Sequence, residues 1–264
     1  IAKPMRWGSE RTQFIRPVHT LTLMYGDKII EGEALGVTSN NKVQGHRFHH
    51  QGLVSLSHAN DYVNELAKAF VMVDYQARQE KIIAQINEIT QDISATALID
   101  DDLLEEVTSL VEWPVTLVGT FDEDFLEVPA EPLIYSMKDH QKYFPLKNNA
   151  GELVNKFIFV SNIESKDPSK VVFGNEKVIR PRLSDAKFFF ETDKKVSLRS
   201  LRERLKNVVF QQKLGTVFDK TERLALLAES IAKLLGSNSE HAKIAAELCK
   251  ADLASDMVLE FDKM

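Results

Sequence analysis

Residues 157–172 read FIFVSNIESKDPSKVV, and this stretch marks the change between two structural patterns in the chain. Phe157 to Val160 form an apolar run of aromatic and β-branched residues, which predicts a buried strand. After about residue 172 the apolar residues recur at helical spacing. The change predicts an α+β fold, with a mixed α/β domain at 1–172 and helices beyond it.

Before the change, the sequence pattern predicts both strands and helices. Residues 17–36 alternate around a Gly26 turn, which predicts a hairpin. Residues 59–90 lack Gly and Pro and keep a helical period, so one long helix is expected. A shorter helix from Asp102 to Trp113 should stop before Pro114. A strand is expected at 115–118 and a further helix at 132–140.

After the change, a basic helical connector is predicted at 173–208, followed at 209–264 by the start of an all-helical domain. Asp219 and Glu222 have the spacing of a capping box, and Gly236 is expected to end that helix. The residues expected to form its apolar, core-facing stripe are Leu224, Leu227, Ala228, Ile231 and Leu235.

The overall composition is that of a globular protein, with 264 residues, 44% hydrophobic and 27% charged. The single cysteine, Cys249, excludes an internal disulfide, suits a reducing compartment and is expected to be packed. No apolar run approaches the roughly 20 residues of a membrane span, so we expect a cytoplasmic protein. Because the sequence starts at Ile1 and stops at Met264 within a helical pattern, we expect a piece of a longer protein.

Charge is unevenly distributed along the chain. The net charge of −6 argues against a dedicated nucleic-acid binder. Residues 92–131, however, contain twelve acidic residues and no basic one, whereas residues 176–206 and the first fifty residues are rich in Lys and Arg. Separated charge blocks allow one face to hold a polyanion despite a negative total. Solvated helix faces are the alternative explanation for each block.

Nine blocks, in order along the chain, carry a family resemblance. They are KPMRWG at 3–8, FIRPVH at 14–19, GHRF at 45–48, LVEWP at 110–114, MKDHQKYFP at 137–145, SNIESKDP at 161–168, GNEKVIRPRL at 174–183, FQQKLGT at 210–216 and DKTER at 219–223. Together they resemble the β subunit of bacterial glycyl-tRNA synthetases.

The resemblance implies a subunit composition and a role for each subunit. In that family, α and β subunits form a heterotetramer, and the α subunit makes glycyl-adenylate with ATP and Mg. The β subunit is needed for tRNA recognition and aminoacylation. The implied partners are therefore the glycyl-tRNA synthetase α subunit and glycine tRNA, with no DNA, no membrane and no cofactor in this chain.

The resemblance also implies a fold for each region. The N-terminal domain should be similar to the editing-type domain of the phenylalanyl-tRNA synthetase β subunit. An HD-hydrolase-like helical domain should follow, and the family's anticodon-binding domain should lie beyond this stretch.

Cations are the candidate tRNA contacts, since guanidinium groups bind phosphate through paired donors. The candidates are Arg6, Arg16, Arg47, Lys138, Lys142, Arg180, Arg182, Lys187, Arg199 and Arg202. We expect them to gather on a shared surface, while surface charge without function and internal ion pairs are the alternatives. Trp7 and Phe48 can stack on unpaired bases, but burial in the core is the favoured interpretation.

A metal site is not expected. His46, His49, His50 and His58 lack the Cys or acidic partners of a known ligand set and are interpreted as a solvated loop. Where HD hydrolases have a His-Asp pair, this chain has Lys250-Ala251-Asp252.

Asp252 and Asp256 are spaced to share one helix face, without an accompanying His. We therefore predict a degenerate HD domain and no catalytic residue. An editing hydrolase acting on mischarged tRNA and a metal-dependent phosphohydrolase remain the alternatives.

Overall fold

The computed structural model describes residues 3–9 and 11–261 of the chain. Ile1 and Met264, on which the expectation of a longer protein rests, lie outside these residues. Helices and strands are both abundant, as the predicted α+β class requires. The chain divides into two compact units: unit 1 contains 1–119, 146–150 and 158–172, and unit 2 contains 120–145, 151–157 and 173–264.

Nine α-helices occur in the described residues. They are α1 (Tyr62–Lys68), α2 (Tyr75–Asp92), α3 (Asp101–Leu110), α4 (Ala130–Tyr135), α5 (Pro168–Asp193), α6 (Leu198–Arg204), α7 (Val217–Leu234), α8 (Ser239–Leu248) and α9 (Asp256–Glu260). Short 3-10 helices lie at Ala59–Asp61, Glu123–Glu127, Leu205–Asn207 and Ala251–Ala254, and a π turn lies at Ser136–His140.

Most of the strands in the same residues are short. They are β1 (Met5–Arg6), β2 (Gln13–Phe14), β3 (Leu21–Thr22), β4 (Met24–Tyr25), β5 (Lys28–Ile29), β6 (Glu33–Ala34), β7 (Val37–Asn40), β8 (Lys42–Gln44), β9 (Leu53–Ser55), β10 (Thr96–Ala97), β11 (Val115–Thr120), β12 (Phe144–Lys147), β13 (Leu153–Ser161), β14 (Val209–Gln211) and β15 (Gly215–Thr216).

The largest sheet among the described residues has four strands in the order β10-β12-β13-β11. Its central strand β13 includes the predicted strand at 157–160, which is thereby confirmed. The strand expected at 115–118 is also confirmed as part of β11. Phe157 and Ile158 are fully buried, which explains why this segment is apolar at consecutive positions rather than alternating.

The hairpin predicted at 17–36 is correct only at its turn. Strands β4 and β5 pair antiparallel across Gly26 and Asp27, and Gly26 has a φ of +63°. Beyond this turn the prediction was wrong, because β3 pairs in parallel with β7 and β6 pairs antiparallel with the same strand. A two-residue period identifies strands without specifying their partners.

The single helix predicted at 59–90 was also wrong. The chain leaves the helix after α1, where Phe70 has a φ of +60°. It re-enters at α2, whose first turn is capped by the Asp74 carboxylate accepting from the backbone N–H of Ala77 at 2.9 Å. Asp is a favourable N-cap residue, so Asp74 indicates in the sequence where α2 begins.

The two shorter helices predicted in unit 1 and unit 2 are present with shifted ends. Helix α3 ends at Leu110, and the extended Val111 then leads toward Pro114. The helix expected at 132–140 begins two residues earlier as α4 and finishes as the π turn. Both elements therefore exist as predicted, with boundaries displaced by a few residues.

Helix α7 differs from its prediction in both its cap and its face. Thr216 is the N-cap, and it exchanges hydrogen bonds with Asp219 in a capping box three residues before the predicted one. The buried side chains are Val217, Thr221, Ala225 and Ala232, whereas Leu227, Ile231 and Leu235 are exposed. The core-facing stripe was therefore assigned to the wrong face. Leucines occur on more than one face of α7, so the helical period alone does not select the face that is buried. Gly236, with a φ of +66°, follows the helix end as expected.

Candidate nucleic-acid interface

A turn in unit 1 is built around His46, whose side chain is only 1% exposed. Its Nδ1 accepts hydrogen bonds from the backbone N–H groups of Phe48 and His49, at 3.2 and 3.3 Å. Since Nδ1 is the acceptor, Nε2 carries the proton and donates to the carbonyl oxygen of Asn162 at 2.6 Å. The interpretation of His46 as part of a solvated loop was therefore wrong, because both ring nitrogens are engaged inside the protein.

Three sequence blocks of the family resemblance meet behind this turn. The Asn162 side-chain oxygen accepts from the backbone N–H groups of Glu112 and Trp113, at 2.7 and 3.0 Å. The rings of His49 and Phe70 lie 4.9 Å apart, and those of Phe70 and Trp113 lie 5.2 Å apart. The blocks at 45–48, 110–114 and 161–168 thus form one hydrogen-bonded, aromatic-packed support. Sequence reasoning found each block but had no means to bring them together.

A cavity of about 620 Å³ lies beside the turn in unit 1. Its lining residues are His19, Gln44, Arg47, His50, Gln51 and Gly52, and none of these six is acidic. Gly45 packs closely against one of these lining residues, because a Cβ added to Gly45 would stand 2.7 Å from the His50 ring and 2.9 Å from the Ala69 Cβ. A polar, acid-free lining of this kind is suited to an anionic ligand rich in hydrogen-bonding groups.

Phe48 projects away from the protein next to the cavity, with 72% of its surface exposed. The favoured interpretation of Phe48 as a core residue was therefore wrong. The reason is the turn geometry, in which His46 takes the inward position and the next two residues, Arg47 and Phe48, are exposed. The guanidinium carbon of Arg47 lies 5.7 Å from the centre of the Phe48 ring. Trp7 is half-buried, so the burial in the core that was favoured for it is only partial.

The remaining N-terminal candidates lie on or near short strands. Arg6 belongs to β1, which pairs with β2, and Arg16 is exposed just after β2. Arg16 and Arg47 form no ion pair with any residue within 3–9 and 11–261.

Lys138 and Lys142 lie in unit 2 around the π turn, and both are partly buried. The segment is fixed by the next residue, Tyr143, whose hydroxyl donates to the Asn175 side-chain oxygen at 2.7 Å. Burial raises the pKa of Tyr143 to about 12, so its hydroxyl stays protonated at neutral pH and remains a donor.

Three of the connector candidates are engaged in ion pairs inside unit 2. Arg180 forms a two-point ion pair with Asp122, and Lys187 contacts the Glu127 carboxylate at 3.2 Å. Arg202 pairs with Glu222 and is only 13% exposed. The acidic block at 92–131 thus supplies carboxylates to the basic connector, which the charge counts alone did not reveal.

Arg182 and Arg199 are the two connector candidates for which no ion pair is found among the described residues. Both side chains are exposed. A free guanidinium can meet phosphate without first giving up a carboxylate partner, so these two are the stronger contact candidates in the connector.

The C-terminal carboxylates are arranged differently from the prediction. Asp252 lies in the 3-10 helix at 251–254 and Asp256 begins α9, so they do not share one helix face. The chain turns between them because Asp193 accepts from the backbone N–H groups of Asp256 and Met257, at 3.0 and 2.9 Å.

No group of three or more His, Cys, Asp or Glu side chains suited to a metal ion occurs in residues 3–9 and 11–261. Cys249 was expected to be packed, but it is exposed. It follows the last turn of α8, and its thiol donates to the Ala246 carbonyl. Across the same residues, no helix has the length and apolarity needed to cross a lipid bilayer.

These features describe an α+β protein whose exposed arginines and acid-free cavity are candidates for binding a polyanion. A family model described as "Glycyl-tRNA synthetase beta subunit" matches residues 1–264, and the chain belongs to this family.

Curated relatives carry the corresponding name, "Glycine--tRNA ligase beta subunit". The protein from Colwellia psychrerythraea is 67% identical over 264 residues, which is all of this chain. Proteins from Pseudoalteromonas translucida and Pseudoalteromonas atlantica are 57% and 54% identical over 261 residues, or 99% of the chain. The chain spans 38% of the length of each of these relatives.

Proposed function

We propose that this chain is the part of a glycine-tRNA ligase β subunit that binds and positions glycine tRNA. In this proposal a separate α subunit forms glycyl-adenylate with ATP and Mg, and the complex works in the cytoplasm. The observation that carries the proposal is the match of the family model to the whole chain. Exposed arginines without ion pairs in both units provide the physical means of contact.

We also propose an identity for each region of the chain. Residues 1–172 correspond to a domain similar to the editing-type domain of phenylalanyl-tRNA synthetase, and 173–208 to a connector. Residues 209–264 correspond to the start of a degenerate HD-like domain. The packing of α7 against α8 supports the helical character of the last region.

The role of the arginines follows from electrostatics. Every phosphate that a protein cation neutralises releases counterions, so the logarithm of the binding constant falls linearly with the logarithm of salt concentration. Arg16, Arg47, Arg182 and Arg199 are exposed and form no ion pairs with described residues, so they meet phosphate at little cost in lost partners. The net charge of −6 then opposes binding only at long range, where salt screens it.

Titration of glycine tRNA onto this chain at several salt concentrations tests the proposal. We expect a log–log slope between about −2 and −4, since each phosphate contact contributes roughly −0.9 in duplex regions. Fluorescence anisotropy of labelled tRNA is a suitable readout. A slope near zero, or an affinity that does not change when all four arginines are replaced by Ala, would count against a tRNA-binding role.

A further inference from the structure

The turn at 45–52 is held rigidly from several sides. Besides its ring contacts, the His46 backbone N–H donates to the Ala69 carbonyl at 2.9 Å, and its own carbonyl accepts from His50 at 2.9 Å. The Gln44 side-chain amide donates to the Gly52 carbonyl at 3.4 Å, across the two ends of the turn. The positions of the residues that project from this turn are therefore set before any ligand binds, which lowers the entropic cost of binding.

The exposure of the Phe48 ring is not explained by packing within this turn. A large aromatic ring is normally covered, because burial removes apolar surface from water. Here the rigid turn holds the ring in solvent beside a guanidinium group and a polar cavity. This combination of an exposed ring and an adjacent cation is the arrangement by which proteins bind unpaired nucleotides, with the base stacked on the ring and the phosphate near the cation.

The cavity supplies hydrogen-bonding groups for the parts of a nucleotide that Arg47 and Phe48 do not contact. The imidazoles of His19 and His50 and the carboxamide of Gln51 offer both donors and acceptors, which match the hydrogen-bonding edges of a base and the hydroxyls of a ribose. No lining side chain carries a negative charge that would repel a phosphate. A duplex cannot use the Phe48 ring, because its bases are already stacked on one another.

We propose that the Arg47–Phe48 turn and its adjoining cavity bind a single unpaired nucleotide of RNA. Phe48 stacks on the base, Arg47 contacts the adjacent phosphate, and the cavity contacts the base edge or ribose. The proposal rests on the proposed tRNA-binding function and specifies which part of an RNA this surface takes: a single-stranded end or loop rather than a helical stem.

The test compares three probes on the whole chain: a short single-stranded RNA, the same strand annealed to its complement, and inorganic phosphate as a competitor. Phe48→Ala should weaken single-strand binding by about tenfold and duplex binding by less than twofold, since stacking on an aromatic residue is lost only for unpaired bases. Phe48→Tyr keeps the ring and should retain the affinity. Arg47→Ala should reduce the salt slope for the single strand by about 0.7.

Phe173→Ala is the matched control, because Phe173 is similarly exposed but lies on α5 in unit 2. Single-strand binding that responds equally to Phe48→Ala and Phe173→Ala would overturn the nucleotide site while leaving the proposed function standing. The nucleotide site is also overturned if phosphate displaces the RNA completely and Phe48→Ala has no effect, since that result indicates an anion site only. If the unmodified chain fails to bind tRNA at all, both proposals fail together.

Discussion

Phe157→Ala is expected to lower the free energy of unfolding by about 3–5 kcal/mol. Phe157 is fully buried on β13, and its ring stacks on Tyr143 with centroids 4.7 Å apart. The substitution removes most of a large, fully buried apolar side chain and leaves a cavity. Urea unfolding followed by circular dichroism gives the measurement.

Two further variants make this result specific. Phe157→Leu keeps much of the buried volume and should cost clearly less than Phe157→Ala. Phe173→Ala removes an exposed ring and should change stability by no more than about 0.5 kcal/mol. If Phe157→Ala costs less than about 1 kcal/mol, the central strand is not packed as described.

His46→Ala should be the second most damaging substitution, with a loss of about 2–4 kcal/mol. It deprives the Asn162 carbonyl and the backbone N–H groups of Phe48 and His49 of their partners, and it opens a cavity behind the turn. Because the turn also presents Arg47 and Phe48, the same variant should weaken RNA binding even under conditions where the protein remains folded.

His46→Asn separates the loss of the Nδ1 acceptor from the loss of the hydrogen bond to the Asn162 carbonyl. Its side-chain oxygen can replace Nδ1 as acceptor for the turn, whereas the bond to Asn162 is lost, so we expect an intermediate stability. His241→Ala serves as the control, since His241 is exposed near the start of α8 and should be neutral within about 0.5 kcal/mol. Equal stability losses for His46→Ala and His241→Ala would contradict the hydrogen-bonded role of His46 in the turn.

Local signals explain why part of the fold could be predicted from sequence. The apolar run at 157–160 and the segment before Pro114 are specified by neighbouring residues, and β13 and the end of α3 follow them. The break between α1 and α2 was missed because nothing in the periodicity indicates a positive φ at Phe70. Residues with that conformation are held there by the surrounding structure, so the sequence pattern alone does not reveal them.

The candidate site was only partly predictable for the same reason. Charge identified Arg47 as a candidate, whereas Phe48 was expected in the core. The inward position of His46 depends on Asn162, which lies 116 residues away in the chain. The ion pair between Arg180 and Asp122 spans 58 residues. Charge counting treats Arg180 and Asp122 as free charges. The folded chain shows that this pair, and Lys187 with Glu127, join the basic connector to part of the acidic block within unit 2.

The most direct test of tRNA binding by unpaired arginines compares Arg182→Ala with Arg180→Ala in full-length β subunit assembled with its α subunit. The two arginines lie two residues apart on α5, but within 3–9 and 11–261 only Arg180 of the two has a carboxylate partner. We expect Arg182→Ala to lower kcat/KM for tRNA by about five- to tenfold, the loss of one charge-assisted contact. Arg180→Ala should lower kcat/KM by about twofold or less, because the adjacent Asp122 carboxylate offsets part of the Arg180 charge and repels a phosphate. Equal losses, or a larger loss for Arg180→Ala, would contradict the claim that unpaired arginines are the residues that bind tRNA.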